Sequence, residues 1–164
     1  LNRIIGGILW SFGLSPVKQK DKRKWPFQAD RHRTDNRRLT GTGLVHLQGL
    51  PLKCVFVTGP GVTDDGLKPL GAFRELTIVG IGDGRTALAA GETYRVTDVG
   101  LTHLARLPKL QSALIDGTAI TGQGVLALKQ PSLKHVRCER CPRLTRRAVK
   151  RWHAAAPQIN VEWS

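Results

Sequence analysis

The chain has no methionine and only three cysteines, Cys54, Cys138 and Cys141, among its 164 residues. A small and odd cysteine count argues against a disulfide framework and leads us to expect a reducing compartment, the cytoplasm. With leucine first and methionine absent, the start of the chain gives no reading of targeting. Long apolar runs are lacking too. The longest, IIGGILWSFGL at 4–14, has 11 residues, against the roughly 18 to 20 that cross a bilayer. No small-x-small cleavage site follows it, as a secretory leader would require.

Acidic residues are the other shortage, 12 against 26 Lys and Arg, for a net charge of +14. The imbalance belongs to the two ends. Residues 1–38 hold ten basic and three acidic side chains, residues 39–133 eight and seven, and residues 134–164 eight and two. At 40% hydrophobic and 23% charged, the chain is long enough for one domain with a core and too short for two. We therefore expect a basic tail or cap at 1–38 ahead of a single domain at 39–164.

What the sequence does have is one fragment used five times: an aliphatic residue, threonine, two free positions, glycine or alanine, and a second aliphatic residue. The copies are LTGTGL (39–44), VTDDGL (62–67), VTDVGL (96–101), ITGQGV (120–125) and LTRRAV (144–149), spaced 23, 34, 24 and 24 residues apart. Each reads as a helix start, with threonine as N-cap offering its hydroxyl to a free amide of the first turn. Asp64 and Asp98 then fall at the first helical position, where the helix dipole favours negative charge. The flanking aliphatic pairs, from Leu39 with Leu44 to Leu144 with Val149, are spaced as hydrophobic staples. Three residues further along the same face stand Leu47, Leu70, Leu104, Leu128 and Trp152. Pro51, Pro108, Pro131 and Pro157 bar continuation of four of these helices, and Phe73 holds that place in the second copy.

After each of the first four stops comes a strand-like alternation: Leu52, Val55, Val57; Leu76, Val79, Ile81; Leu110, Ala113, Ile115; Leu133, Val136, Cys138. The last two of each trio share a face. One unit is thus a strand, a turn and a short helix. Five or six apolar side chains at about 1.5 to 3 kcal/mol each do not offset about 1 to 2 kcal/mol per residue of backbone entropy over two dozen residues. Such units must stack.

On these residues the chain resembles the leucine-rich repeat family in its short-helix, cysteine-containing, ribonuclease-inhibitor-like form. LKHVRCERCPRLTRRAV (133–149) is similar to the L-x-x-L-x-L-x-x-C-x-x-L-T run of that class. LQSALIDGTAITGQGV (110–125) is similar to the threonine variant of bacterial arrays, whose helices open Thr-Asp-x-Gly-Leu. APQINVEWS (156–164) resembles a C-terminal cap. The resemblance covers about 39–163 and implies an α/β solenoid of about four to five repeats, with a parallel β-sheet on the concave side and short α-helices on the convex side. The 34-residue spacing then reads as a repeat carrying an insertion at about 82–95, and 144–164 as the last repeat and cap. Substrate receptors of ubiquitin ligases resemble such an array but carry an F-box before it. No such helical module is read in 1–38.

Other motifs are weaker. GIGDGRT (80–86) lacks the third glycine of a dinucleotide fingerprint, where Arg85 stands, and the Gly-Lys-Ser/Thr ending of a P-loop. Cys138-Glu139-Arg140-Cys141 is a single C-x-x-C with no second pair, and both cysteines fall at inward positions, so burial is expected rather than a metal site. His46 and His103 share one outward helical slot, as solvated surface residues do. No nucleophile-base set or carboxylate pair stands out. We therefore expect no catalysis, no cofactor, no metal and no small-molecule substrate.

In this family the solvent-facing strand residues line the concave surface, here in two rows: Cys54, Ile78, Ser112, His135, and Phe56, Gly80, Leu114, Arg137. Phe56, Ile78 and Leu114 would expose apolar area beside the basic His135 and Arg137, a composition suited to a protein partner. The expected function is a non-catalytic protein-protein interaction scaffold using these five residues. The alternative is a basic protein that binds nucleic acid or an anionic membrane surface. It would use Lys22, Arg23 and Lys24 of the tail with Arg143, Arg146, Arg147 and Arg151 of the last repeat.

Overall fold

In a computed structural model of the chain, the described residues are 2–5, 8–11, 40–59, 61–82 and 94–164, the first two stretches as backbone alone. They form strands β1 (Asn2–Ile5), β2 (Ile8–Ser11), β3 (Cys54–Val57), β4 (Ile78–Ile81), β5 (Ser112–Ile115), β6 (His135–Cys138) and β7 (Asn160–Trp163). Helices α1 (Asp64–Leu67), α2 (Asp98–Leu104), α3 (Gly122–Ala127) and α4 (Arg146–Ala155) alternate with the later strands. All seven strands make one sheet in chain order. β3 to β7 run parallel, and β1 and β2 form a hairpin laid antiparallel along β3. The protein is α/β, a five-stranded parallel sheet with short helices between its strands.

The period-2 alternation of the sequence is the alternation of burial. Val55, Val57, Val79, Ile81, Ala113, Ile115, Val136 and Cys138 face one core with Leu67, Leu70, Leu101, Leu104, Val125, Leu128 and Trp152 from the helical side. The strands stand side by side in register, with Val79 opposite Ala113 and Ala113 opposite Val136. At the strand entrances one carbonyl per unit takes two amides of the next: Thr77 and Ile78 donate to Lys53, Gln111 and Ser112 to Thr77, Lys134 and His135 to Gln111. Asn160 closes the series by donating to the Lys134 carbonyl at 2.7 Å.

The helix starts are tied together by the repeated fragment itself. Thr63, Thr97, Thr121 and Thr145 are N-caps, their hydroxyls accepting from an amide of the first turn at 3.2 to 3.3 Å. Asp64, at the first position of α1, reaches the next unit rather than its own. Its Oδ1 accepts from the Thr97 amide at 2.8 Å and the Gly100 amide at 2.9 Å, and its Oδ2 from the Thr97 hydroxyl at 2.7 Å. Asp98 repeats this on Thr121, whose amide donates at 2.7 Å and whose hydroxyl also donates. The approach leaves no room for a side chain opposite: a Cβ at Gly100 would lie 2.5 Å from Asp64 Oδ1, and one at Gly124 2.3 Å from Asp98 Oδ1. Helix-dipole stabilisation and hydrogen bonding to the next cap thus fall on the same carboxylate.

The outer junctions are built differently. In the first, a Cβ at Gly66 would meet the Thr40 carbonyl oxygen at 1.7 Å, and Gly41 adopts φ +88°. That shifts the helix start by one residue. Gly41 and not Thr40 is the N-cap of a 3-10 helix over Thr42–Leu47, and the Thr40 hydroxyl bonds that of Thr42 at 2.9 Å. In the last junction Gly122 replaces the aspartate and Ala148 replaces the glycine, with the Ala148 Cβ 2.5 Å from where a Gly122 Cβ would stand.

Two further features depart from the simplest reading. The apolar run at 4–14, expected within a tail, contributes backbone at 8–11 to the sheet edge beside β3. The helices also end two to four residues before their prolines, the intervening backbone tightening into i to i+3 bonds such as Leu107 to Leu104.

Candidate functional site

The face of the sheet away from the helices carries the two expected rows, extended by β7 to Asn160 and Glu162. It is less open than the sequence suggests. Ile78 and Phe56 are half-buried and His135 is exposed, its Nδ1 3.4 Å from Asn160 Nδ2. Leu114, expected to be exposed, retains 5% of its surface, and Cys54 and Ser112 of the other row 6% and 7%. At Gly80, between Phe56 and Leu114 in register, a Cβ would be 2.1 Å from the Phe56 ring, so that ring occupies the space a side chain there would fill.

Arg137 is also not the free cation expected at this edge. Its Nη2 donates to Asp116 Oδ2 at 2.7 Å, and its Nε lies 3.7 Å from Glu139 Oε1. Asp116 is fully buried and takes a second bond from the Glu139 amide at 3.2 Å. A buried carboxylate needs such a counter-charge. Burial works against the Arg137 charge, but the hydrogen bond and charge of Asp116, then Glu139 and Glu162, outweigh it and raise the guanidinium pKa. The repeat pattern does not single out Asp116; its placement just after a strand and before Gly117, which takes φ +67°, is the signal that could have found it. Phe56, Ile78, Leu114, His135 and Arg137 therefore do lie on one face, as an apolar end beside β3 and β4 grading into a polar end at β6 and β7.

The basic candidates of the last unit are placed otherwise. Arg143, Arg146, Arg147 and Arg151, with Arg140 and Lys150, are all exposed, and among the described residues none of them meets a carboxylate. Lys22, Arg23 and Lys24 lie outside the described residues.

All three cysteines are free thiols and buried. Burial pushes the Cys54 thiol up to about 12 and raises Cys138 and Cys141 as well. The Cys141 thiol donates to the Ile115 carbonyl at 3.1 Å and lies 3.4 Å from the Thr118 hydroxyl. These are packing positions that hold the thiols protonated, and among the described residues no group of His, Cys, Asp and Glu is arranged to hold a metal ion. His46 is exposed and His103 half-buried. Partial burial, then Arg106 and Lys68, lower the His103 pKa.

Of the expected insertion, Gly82 and Tyr94–Arg95 are described and 83–93 are not. Both ends are pinned: the Gly82 amide donates to Val57 and the buried Tyr94 amide to Gly117 at 2.7 Å. Among the described residues no helix is long and apolar enough to cross a membrane. A scan against models of protein families finds no match for this chain, and a search of curated proteins finds none either.

Proposed function

We propose that the chain is a leucine-rich-repeat solenoid of the short-helix type that acts as a non-catalytic scaffold, holding a protein partner on the open face of its sheet. The recurrence of the threonine fragment in register with five parallel strands supports the repeat reading. The observation that carries the binding reading is the strip in which the half-buried apolar side chains Ile78 and Phe56 share a face with the exposed His135 and run into a polar edge at Asn160 and Glu162. Such composition suits a modest protein interface with an apolar centre and a polar rim.

The test is site-specific photocrosslinking of the full chain in its native cell type. A crosslinker at Ile78 should capture one defined protein, and His135→Glu should reduce that capture at least tenfold with the circular dichroism spectrum unchanged. A crosslinker at Val99, exposed at 58% on α2, should not capture it. Equal capture from Val99 and Ile78 rules out the sheet face as the interface. Leu114 is not a suitable probe, because a charge at a buried position unfolds the protein whatever it binds.

A further inference from the structure

We propose that the exposed basic surface of the last unit, Arg140, Arg143, Arg146, Arg147, Lys150 and Arg151, binds the phosphodiester backbone of nucleic acid without reading its sequence. Over residues 140–164 these six basic side chains stand against one acid, Glu162, and that acid faces Arg137 across the sheet. Ala148, Val149 and Trp152 turn into the core, which leaves Arg147, Lys150 and Arg151 on the outer face of α4 with Arg146 beside them.

This arrangement opposes the fold's own electrostatics. Arg146 and Arg147 occupy the first turn of α4, the positive end of the helix dipole, where α1 has Asp64 and Asp65 and α2 has Asp98. Arg146 with Lys150 and Arg147 with Arg151 are like charges one turn apart. Arg140 takes φ +53°, a left-handed conformation that Gly117 supplies in the preceding unit. A cap that merely needed solubility could be charged with either sign and would need none of these costs. An anion outside the chain removes the first two.

The chemistry of the surface selects among anions. Five of the six cations are arginine, whose planar fork matches phosphate oxygens. A membrane-seated helix would need apolar side chains free to enter the lipid, whereas those of α4 are spent on the core. Contacts to phosphate alone are strongly salt-dependent and blind to sequence.

Full-length protein should bind a fluorescein-labelled 20-base-pair duplex of arbitrary sequence, with affinity unchanged on scrambling that sequence. R143Q/R146Q/R147Q/R151Q should weaken binding at least tenfold, and the slope of log affinity against log salt should shrink by about 0.9 for each phosphate no longer neutralised. R143K/R146K/R147K/R151K should keep most of both. Retention of native affinity by the glutamine variant overturns the proposal, assigning any binding to the basic residues near the start of the chain. Equal loss in the glutamine and lysine variants overturns it too, because charge would not then be the cause. So does binding of the native protein to vesicles of 30% phosphatidylserine as tightly as to duplex at equal phosphate concentration.

Discussion

The middle junctions and the outer junctions of this protein solve one problem in two ways. Between the second, third and fourth units an aspartate reaches across to the next threonine, and a glycine opposite makes room for it. Between the fourth and fifth, Gly122 gives up the carboxylate and Ala148 takes the vacated space. Between the first and second there is neither acid nor side chain, and backbone meets backbone at Gly66 and Thr40. The two positions are thus a matched pair: what one unit extends, the next must leave empty.

The first junction has the least slack, so the largest effect is expected there. Gly66→Ala puts a methyl where only a carbonyl oxygen of the main chain can yield, and should cost at least about 3 kcal/mol in chemical denaturation. A loss below about 1 kcal/mol would mean that this junction opens easily and the comparison fails at that end.

Next comes the carboxylate junction. Asp98→Gly and Gly124→Ala should each cost about 2 kcal/mol, the first through bonds to a charged acceptor and the second through displacement of the same group. Combined, they reproduce the pair found at Gly122 and Ala148. The double variant should be more stable than the sum of the single losses by about 1 kcal/mol or more. Strict additivity would show that the two sites do not interact.

The smallest expected effect converts the last junction to the middle kind. Gly122→Asp alone should be destabilising, because its Cβ meets Ala148. With Ala148→Gly added, the new carboxylate can reach Thr145, and the double variant should recover to within about 1 kcal/mol of the native protein or exceed it. Failure to recover would show that Arg146 and its neighbours, rather than the matched pair, govern how the last unit docks.

Much of the fold was legible because two periods recur together: the strand alternation at Val55, Val79, Ala113 and Val136, and the helical face at Leu70, Leu104, Leu128 and Trp152. The Asp64 and Asp98 dipole positions were legible as well, but their reach to the next unit was not, since no single repeat contains both partners of the bond. Placement on one sheet face could be read for all five expected binding residues. Exposure could not, because it depends on neighbours: Leu114 is buried although it stands on the open face, and Arg137 is drawn in by Asp116. The pairing of β2 with β3 was illegible for a similar reason. Within the run at 4–14, Gly6-Gly7 between two apolar pairs is a local hairpin signal that went unread, but nothing local says which sheet edge such a hairpin joins.

The matched pair also constrains how such a chain can lengthen. The third unit carries Asp98 and Gly100 together, so a duplicate inserted directly after it would find its own complement waiting, and could be copied again without limit. The fourth would set Gly122 against Gly124 and leave a hole, while the fifth would drive Arg146 into Ala148. Growth by tandem duplication is therefore open in the interior and closed at the carboxyl end.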